Sequence, residues 1–254
     1  MTSRTIRIST IAAATLLACA VAAQESTDDY VAPRTSLGDP DIQGIWQTMH
    51  TAVWNIQDHT AELGVPAGQG VVVGNDIPYR PEALAQREEN YRNRATDDPE
   101  ASCKMVGTPR IMYMPFPFQI VQTPTYTAML FEYNHAVRHI FMDGTPHPEG
   151  HIDWWMGDSR GHWEDDTLVV DVTHFDDRTW FDQAGNFHSN ALHLVERYSF
   201  VDADTIRYEV TVEDPNVFTR PWEMSLLFYR HKEENFRLLE YECFAFDNLF
   251  QAVE

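Results

Sequence analysis

Basic residues are scarce in this sequence. It contains 18 Lys and Arg residues against 39 Asp and Glu residues in 254 positions, which gives a formal net charge of −21 at pH 7. A surface this acidic repels phosphate groups, which argues against nucleic-acid binding and disfavours an anionic membrane face. The chain is nevertheless 43% hydrophobic and 12% aromatic. That composition excludes intrinsic disorder and is sufficient to fill a substantial core.

The sequence also lacks the motifs that mark several classes of enzyme. It has no Gly-x-Ser-x-Gly nucleophile elbow, no Walker phosphate loop and no glycine-rich dinucleotide fingerprint. Its three cysteines show no Cys-x-x-Cys spacing, which argues against a structural zinc site. Ser159 lies in the glycine-flanked stretch 157–161, which we interpret as a connection between strands rather than as the setting of a nucleophile. No cofactor is predicted.

No apolar run reaches the ~20 residues that a membrane-spanning helix needs. The apolar stretch 11–21 follows Arg4 and Arg7 and precedes small residues before Gln24. This order predicts a signal peptide over residues 1–23 and therefore an exported protein, periplasmic or secreted. The residues ending at Cys19 also resemble a lipobox, so a lipid anchor at Cys19, and with it an outer-membrane lipoprotein, stays open. No transmembrane span is predicted.

Export changes how the remaining cysteines are interpreted. If Cys19 leaves with the signal peptide, only Cys103 and Cys243 remain. An oxidising compartment favours pairing them, and two free buried thiols are the alternative. We expect a Cys103–Cys243 disulfide that ties the start of the core to its last strand.

The sequence predicts one β-rich domain over residues 24–254. Residues 24–108 are expected to form an irregular and helical leader with one main surface helix at 81–95, where a proline precedes strong helix formers. Residues 109–244 are expected to form the strand core, because short apolar or alternating runs recur there at hairpin spacing. Such a series predicts a mainly β fold, an antiparallel barrel or sandwich. The predicted strands are 110–114, 118–122, 125–131, 137–142, 167–173, 192–200, 205–212, 222–230 and 236–244.

An ordered set of short motifs resembles a large family of exported bacterial proteins of uncharacterised function. The motifs are GIW at 44–46, PFPFQI at 115–120, DGTPHP at 143–148, GHWEDDTLVVD at 161–171, HS at 188–189, ER at 196–197 and TRPW at 219–222. The resemblance implies export and a β-rich fold, and it implies no catalytic assignment. The predicted fold is also similar to lipocalin (calycin) barrels, whose shape suits an apolar small ligand.

The densest group of chemically useful side chains lies between residues 178 and 197. Acid–base catalysis needs a group that titrates near neutral pH, a partner that orients it and a donor for developing charge. The candidate catalytic residues are Asp182, His188, His193, Glu196 and Arg197. A surface ion-pair cluster is the alternative interpretation. Strand alternation places His193 and Glu196 on opposite faces of a regular strand, so both can face one site only if the strand is irregular.

Aromatic side chains and one arginine are the candidate substrate-binding residues: Trp155, Trp163, Arg178, Trp180 and Trp222. If several tryptophans line one cavity, they suit stacking on a cyclic ligand. A divalent metal at His147 and His151 is a weaker possibility. The two histidines have a four-residue spacing, but Pro146, Pro148 and Gly150 exclude the helix that would align them.

Three classes of function stay open at this point. The first is a periplasmic, cofactor-free lyase, isomerase or hydrolase that applies His/Asp acid–base chemistry to a small cyclic or apolar molecule. The second is a lipocalin-like protein that binds a small molecule without catalysis. The third is an acidic envelope or structural protein. The side chains that line the largest cavity discriminate between them.

Overall fold

The computed structural model describes residues 30–62 and 64–244. Nine strands form one closed barrel in which each strand pairs with the next and the last pairs with the first. The strands are β1 (Gly44–Thr48), β2 (Phe118–Gln122), β3 (Tyr126–Phe131), β4 (Val137–Phe141), β5 (Asp158–Glu164), β6 (Thr167–Thr173), β7 (His193–Asp202), β8 (Thr205–Glu213) and β9 (Trp222–Arg230). The prediction of a mainly β fold is confirmed, and the barrel is realised rather than the sandwich. The predicted signal peptide and Cys19 lie outside the described residues.

One pair of strands interrupts the antiparallel order. β4 and β5 are parallel, and only Ile140 with Ser159 and Phe141 with Arg160 are paired in register. Parallel neighbours cannot be joined by a tight hairpin, so the chain between them must cross back along the barrel. Residues 142–157 form this crossover segment.

The predicted surface helix is observed as α1 (Pro81–Asp97). Proline occupies its first turn, where the missing N–H costs no helical hydrogen bond. Within α1 only Ala83 and Asn90 are buried, so the helix lies on the surface. The amide of Asn90 donates to the carbonyl of Gly185 at 3.2 Å and fixes α1 to the loop before β7.

Several predicted strand boundaries are wrong. The residues predicted as a strand at 110–114 instead form a short 3₁₀ helix, Arg110–Tyr113. The residues predicted at 236–244 form no named strand, although Tyr241 makes an isolated bridge with Tyr133. Conversely, β1 lies inside the predicted leader and β5 begins in the stretch that was interpreted as a connection. Barrel closure explains why β1 is a strand, because β1 pairs with β2 on one side and with β9 on the other.

Side chains fill the barrel interior. Along β7 to β9 the buried residues alternate with partly exposed ones, as a strand with one solvated face requires. The rings of Phe118 and Phe228 pack edge to face with centroids 5.0 Å apart, and those of Tyr198 and Tyr208 are also 5.0 Å apart. The interior is therefore a packed core that includes aromatic rings.

The Cys103–Cys243 disulfide is formed, with the two Cα atoms 5.5 Å apart. Cys103 follows the 3₁₀ turn Pro99–Ser102 and adopts a left-handed backbone conformation. The bridge ties the segment after β9 to the segment after α1. Tyr241 stacks on Tyr133 beside it, so this part of the C-terminal segment lies against the barrel.

Candidate functional site

A cleft of about 550 Å³ lies on the outer surface of the barrel, between β4 and the crossover segment. We call it the outer cleft. β4 contributes its outward-facing side chains, because successive residues of a strand point to opposite faces. The crossover segment forms the opposite wall. The lining residues are Met105, Val137, Arg138, His139, Phe141, Pro148, Ile152, Trp154, Trp155, Met156, Gly157, Asp158, Ser159 and Arg160.

Large apolar side chains are unusually exposed at this cleft. Val137, Phe141, Ile152 and Trp154 each have more than a third of their surface accessible. Two of them come from β4 and two from the crossover segment, so they face one another across the cleft. Clustered exposed apolar groups mark interaction sites on soluble proteins, whereas single ones need no explanation.

The polar wall of the cleft centres on Arg160 and Asp158. The guanidinium group of Arg160 donates from Nε and Nη2 to the two carboxylate oxygens of Asp158, at 2.7 and 2.8 Å. It also donates to the hydroxyl of Thr145 at 2.6 Å and lies 4.5 Å from the ring centroid of Phe141. The guanidinium group of Arg160 is thus paired with a carboxylate at its edge and packed against an aromatic ring on its flat face, and these contacts fix its position.

His147 attaches the crossover segment to the barrel wall. Its Nδ1 lies 2.6 Å from a carboxylate oxygen of Asp158, and its Nε2 lies 2.7 Å from Asp171. The second oxygen of Asp171 contacts Nε2 of His193 at 2.8 Å. His147 therefore has no free nitrogen for a ligand and acts as a clamp.

Both carboxyl groups beside His147 are held in their ionised form. Burial raises the pKa of Asp158, but hydrogen bonds from Arg160 and His147 outweigh that effect and lower the pKa below its usual 3.8. Burial likewise opposes the hydrogen bonds from His193 and His147 at Asp171, and its pKa is again lowered. The carboxyl groups of Asp158 and Asp171 are therefore ionised at neutral pH.

His139 is the titratable side chain of the cleft that remains free. It points outward from β4, and its imidazole makes no hydrogen bond or ion pair with any residue in the described ranges. Its ring centroid lies 6.0 Å from that of Tyr126 on the neighbouring strand. A neutral imidazole with an unoccupied nitrogen can accept or donate a proton.

The predicted catalytic residues are not brought together in one site. Glu196 lies inside the barrel, where it receives two hydrogen bonds from Arg138, at 3.1 and 2.5 Å, and one from the hydroxyl of Tyr208 at 2.6 Å. His193 and Arg197 lie on the outer face of the same strand, as alternation predicts. Arg197 forms an exposed ion pair with Glu164 at 3.0 Å.

Asp182 occupies a buried loop site in which its oxygens are already used. They accept hydrogen bonds from the backbone N–H of Ile56 at 2.8 Å, from the backbone N–H of Asn186 at 3.1 Å and from the side-chain amide of Asn186 at 2.6 Å. Burial raises the pKa of Asp182 to about 6, although these donors oppose the shift. The carboxyl group joins two loops and has no oxygen left over for a ligand.

His188 is also buried with both ring nitrogens in use. Its Nδ1 donates to the carbonyl of Ser189 at 2.9 Å, so its Nε2 accepts from the hydroxyl of Thr179 at 2.6 Å. Burial lowers the pKa of His188. The rings of Phe175 and Phe181 pack against it. The neutral ring is a packed and hydrogen-bonded part of the core.

The predicted substrate-binding residues also lie in different parts of the molecule. Trp155 lines the outer cleft, and the guanidinium group of Arg178 lies 4.5 Å from its ring centroid. Trp163 lines a different cleft, at one end of the barrel. Trp180 and Trp222 are buried, and Trp222 packs edge to face against Phe181. Only Trp155 and its neighbour Arg178 are therefore at the outer cleft.

The two histidines considered for metal binding have different surroundings. Both nitrogens of His147 face carboxylates, and His151 is exposed. Within residues 30–62 and 64–244, no group of three or more His, Cys, Asp and Glu side chains is arranged to hold a metal ion.

Sequence reasoning missed several side chains at the cleft. Arg138 was not singled out, and Ser159 was assigned to a connection between strands. Ser159 is instead buried in β5, and its hydroxyl accepts from Nε and Nη2 of Arg138, at 3.1 and 3.0 Å. His139 was not among the predicted site residues. The sequence does predict that Val137, His139 and Phe141 share the outward face of one strand. It does not predict the cleft, because the opposite wall is formed by the crossover segment.

In the described part of the chain, no helix is long and apolar enough to cross a membrane. No protein-family model, curated protein or solved structure matches this chain.

Proposed function

We propose that the protein binds a small, neutral, apolar molecule with a planar ring in the outer cleft. The observation that carries the proposal is the clustering of Val137, Phe141, Ile152 and Trp154, all exposed, around one cavity of about 550 Å³. Small-molecule sites commonly have volumes of roughly 300–1,000 Å³, apolar walls and a few fixed polar groups.

The charges around the cleft favour a neutral ligand. Arg160 is paired with Asp158, and Arg138 is paired with Glu196 inside the barrel. An anionic or cationic ligand therefore finds no unpaired opposite charge on these groups, and it loses hydration on entering an apolar cavity. A ring that stacks on Trp154 or Trp155 and accepts one hydrogen bond suits the cavity better.

Binding can be tested with the neutral fluorophore N-phenyl-1-naphthylamine. Val137 lines the cleft and is 47% exposed, whereas Val201 is 42% exposed and is not among the lining residues. Val137→Asp and Val201→Asp are therefore matched variants. We expect Val137→Asp to weaken binding by about tenfold or more, because the new carboxylate must be desolvated, and Val201→Asp to leave it unchanged. Equal affinities in the two variants would falsify the proposal.

Acid–base turnover in the same cleft is the second candidate function. The observation that favours it is the free imidazole of His139 beside the apolar wall. A general base beside an apolar wall can remove a proton from the carbon of a bound substrate, which is the first step of many lyase and isomerase reactions. Arg160 and Asp158 then supply a fixed polar contact that orients the substrate.

A neutral probe of this chemistry is 5-nitrobenzisoxazole. His139 would take the proton from its ring carbon while the N–O bond breaks, and 2-cyano-4-nitrophenolate is released. We expect turnover in the wild type and a loss of about 10²-fold in His139→Ala, with fluorophore binding retained. If both proteins bind the fluorophore and neither accelerates the elimination, the proposal that His139 acts as a general base fails and the binding function stands.

A further inference from the structure

A second cleft, of about 600 Å³, lies at the open end of the barrel. We call it the mouth cleft. The β2–β3 turn and the ends of β4 and β5 form one side, and residues 34–43, which lead into β1, form the other. Barrel mouths are common sites for small ligands. Its lining includes Asp39, Asp41, Gln122, Thr127, Met142 and Trp163.

The two sides of the mouth cleft are fixed to each other by hydrogen bonds. The side chain of Gln122 accepts from the backbone N–H of Ile42 at 2.8 Å and donates to the carbonyl of Pro40 at 3.1 Å. The backbone N–H of Gln122 donates to the side chain of Gln43 at 3.3 Å. The cleft is thus formed before any ligand enters, which lowers the entropic cost of binding.

The charge of the mouth cleft excludes anionic ligands. Arg34 is paired with Asp166 at 2.5 Å, so its positive charge is already compensated. Asp39 and Asp41 line the cleft without an ion pair to any described residue. Ionised carboxylates only accept hydrogen bonds. The oxygens of Asp39 and Asp41 can therefore bind the hydroxyl groups of a neutral ligand, whereas they repel an anion.

Trp163 supplies an apolar face among these polar groups. It is half-buried at the end of β5, next to Met142, and makes no hydrogen bond with any described residue. A flat indole beside carboxylate, amide and hydroxyl groups is complementary to a sugar ring, which has an apolar C–H face and an equatorial belt of hydroxyls. We infer that the mouth cleft binds a neutral saccharide of one or two rings.

This site is distinct from the outer cleft. β5 contributes Asp158, Ser159 and Arg160 to the outer cleft, whereas His162 and Trp163, further along the strand, line the mouth cleft. Variants of one cleft can therefore be tested without altering the other, and the inference does not depend on the proposed function.

Saturation-transfer NMR with a panel of neutral mono- and disaccharides tests the inference, with glucose 6-phosphate as the anionic probe and choline as the cationic probe. We expect at least one neutral sugar to bind and the phosphate not to bind. Asp39→Ala should weaken sugar binding by about tenfold, the effect of one lost charged hydrogen bond. The side chain of Asp39 makes no hydrogen bond with described residues, so this change should leave the melting temperature unaltered.

Trp163→Ala should abolish the sugar signal, and Trp154→Ala in the outer cleft should leave it unchanged. Should Trp163→Ala fail to fold, Asp39→Ala still decides the question. Binding of choline without any neutral sugar, no binding by any probe, or equal loss in Trp154→Ala and Trp163→Ala would each overturn the inference.

Discussion

Arg138 on β4 and Glu196 on β7 form an ion pair inside the barrel, with the closest nitrogen and oxygen atoms 2.5 Å apart. Neither side chain is exposed beyond 1%. The hydroxyls of Tyr208 and Tyr198 donate to the same carboxylate, and Ser159 accepts from the guanidinium group. The charges are therefore paired within a packed core, and they connect strands that are not neighbours in the barrel.

Removing one partner of this pair should be costly. We expect Glu196→Gln to lower the free energy of unfolding by about 3–5 kcal/mol, because the charge of Arg138 is left buried without compensation. Urea unfolding gives the value. Replacing both partners, by Arg138→Met with Glu196→Leu, should restore much of the loss. Arg197→Gln, at the next position but on the outer face, is the control and should change little. A Glu196→Gln protein as stable as the wild type contradicts the assignment.

The contacts between His147 and two carboxylates should limit local opening of the crossover segment. We expect His147→Ala to increase amide hydrogen exchange over residues 144–157 by about tenfold or more, because the segment loses the contacts of His147 with Asp158 and Asp171. Affinity for the fluorophore should fall as well, since Ile152 and Trp154 lie on this segment. The control is His162→Ala, whose ring is 60% exposed and, within the described residues, forms an ion pair with Glu164 alone. Equal exchange in the two variants argues against the clamp.

The same cluster predicts how acid affects stability. The pKa values of Asp158 and Asp171 are lowered below 3.8 in the folded state. Their contribution is therefore fully present above the unfolded value and is lost as the pH falls through the lower folded values. We expect the loss of stability below about pH 4 to be smaller in His147→Ala than in the wild type, measured by urea unfolding at several pH values.

Asp182 should have the opposite pH dependence. Its pKa rises from 3.8 to about 6 on folding, so its contribution is greatest below 3.8 and is lost as the pH rises through 6. Compared with Asp182→Asn, the wild type should lose at most about 1.4 kcal/mol of stability per pH unit across that interval. The exposed Asp177 provides the control, Asp177→Asn. Parallel pH profiles for the wild type and Asp182→Asn would show that the carboxyl group does not titrate in this way.

The Cys103–Cys243 bridge closes a loop with a sequence separation of 140. We expect Cys103→Ser to lower the free energy of unfolding by about 2–4 kcal/mol, because the unfolded chain gains freedom. A reducing agent should destabilise the wild type by a similar amount and leave Cys103→Ser unaffected. If the reducing agent has the same effect on both proteins, the bridge is not the cause.

The sequence identified the fold class through local patterns. Alternation along residues 205–212 and the proline at the start of α1 depend on near neighbours, and the strand and the helix are both found there. β1 could not be identified in this way, because its five residues become a strand only when β2 and β9 lie on either side. The disulfide was correctly predicted from export and from the count of cysteines.

The candidate site could not be predicted for a related reason. Density along the chain suggested Asp182, His188 and Glu196, but each of them is satisfied by a different partner. Asp182 accepts from Asn186, His188 contacts Thr179, and Glu196 accepts from Arg138 on β4. The outer cleft combines residues from 105 to 160, including the outward face of β4 and the far end of the crossover segment. That combination depends on the parallel pairing of β4 and β5, for which no local pattern exists.

The parallel junction between β4 and β5 also separates the strand framework of the barrel from the segment that forms one wall of the outer cleft. Eight of the nine strand pairs in the closed ring are antiparallel, whereas β4 and β5 share only two registered residue pairs. Insertions or replacements within residues 142–157 therefore leave the antiparallel ladders intact while they rebuild one wall of the cleft. Exchange of this sixteen-residue segment would therefore change the lining of the outer cleft without changing the strand pairing of the barrel, as the exchange of a loop does on a constant framework.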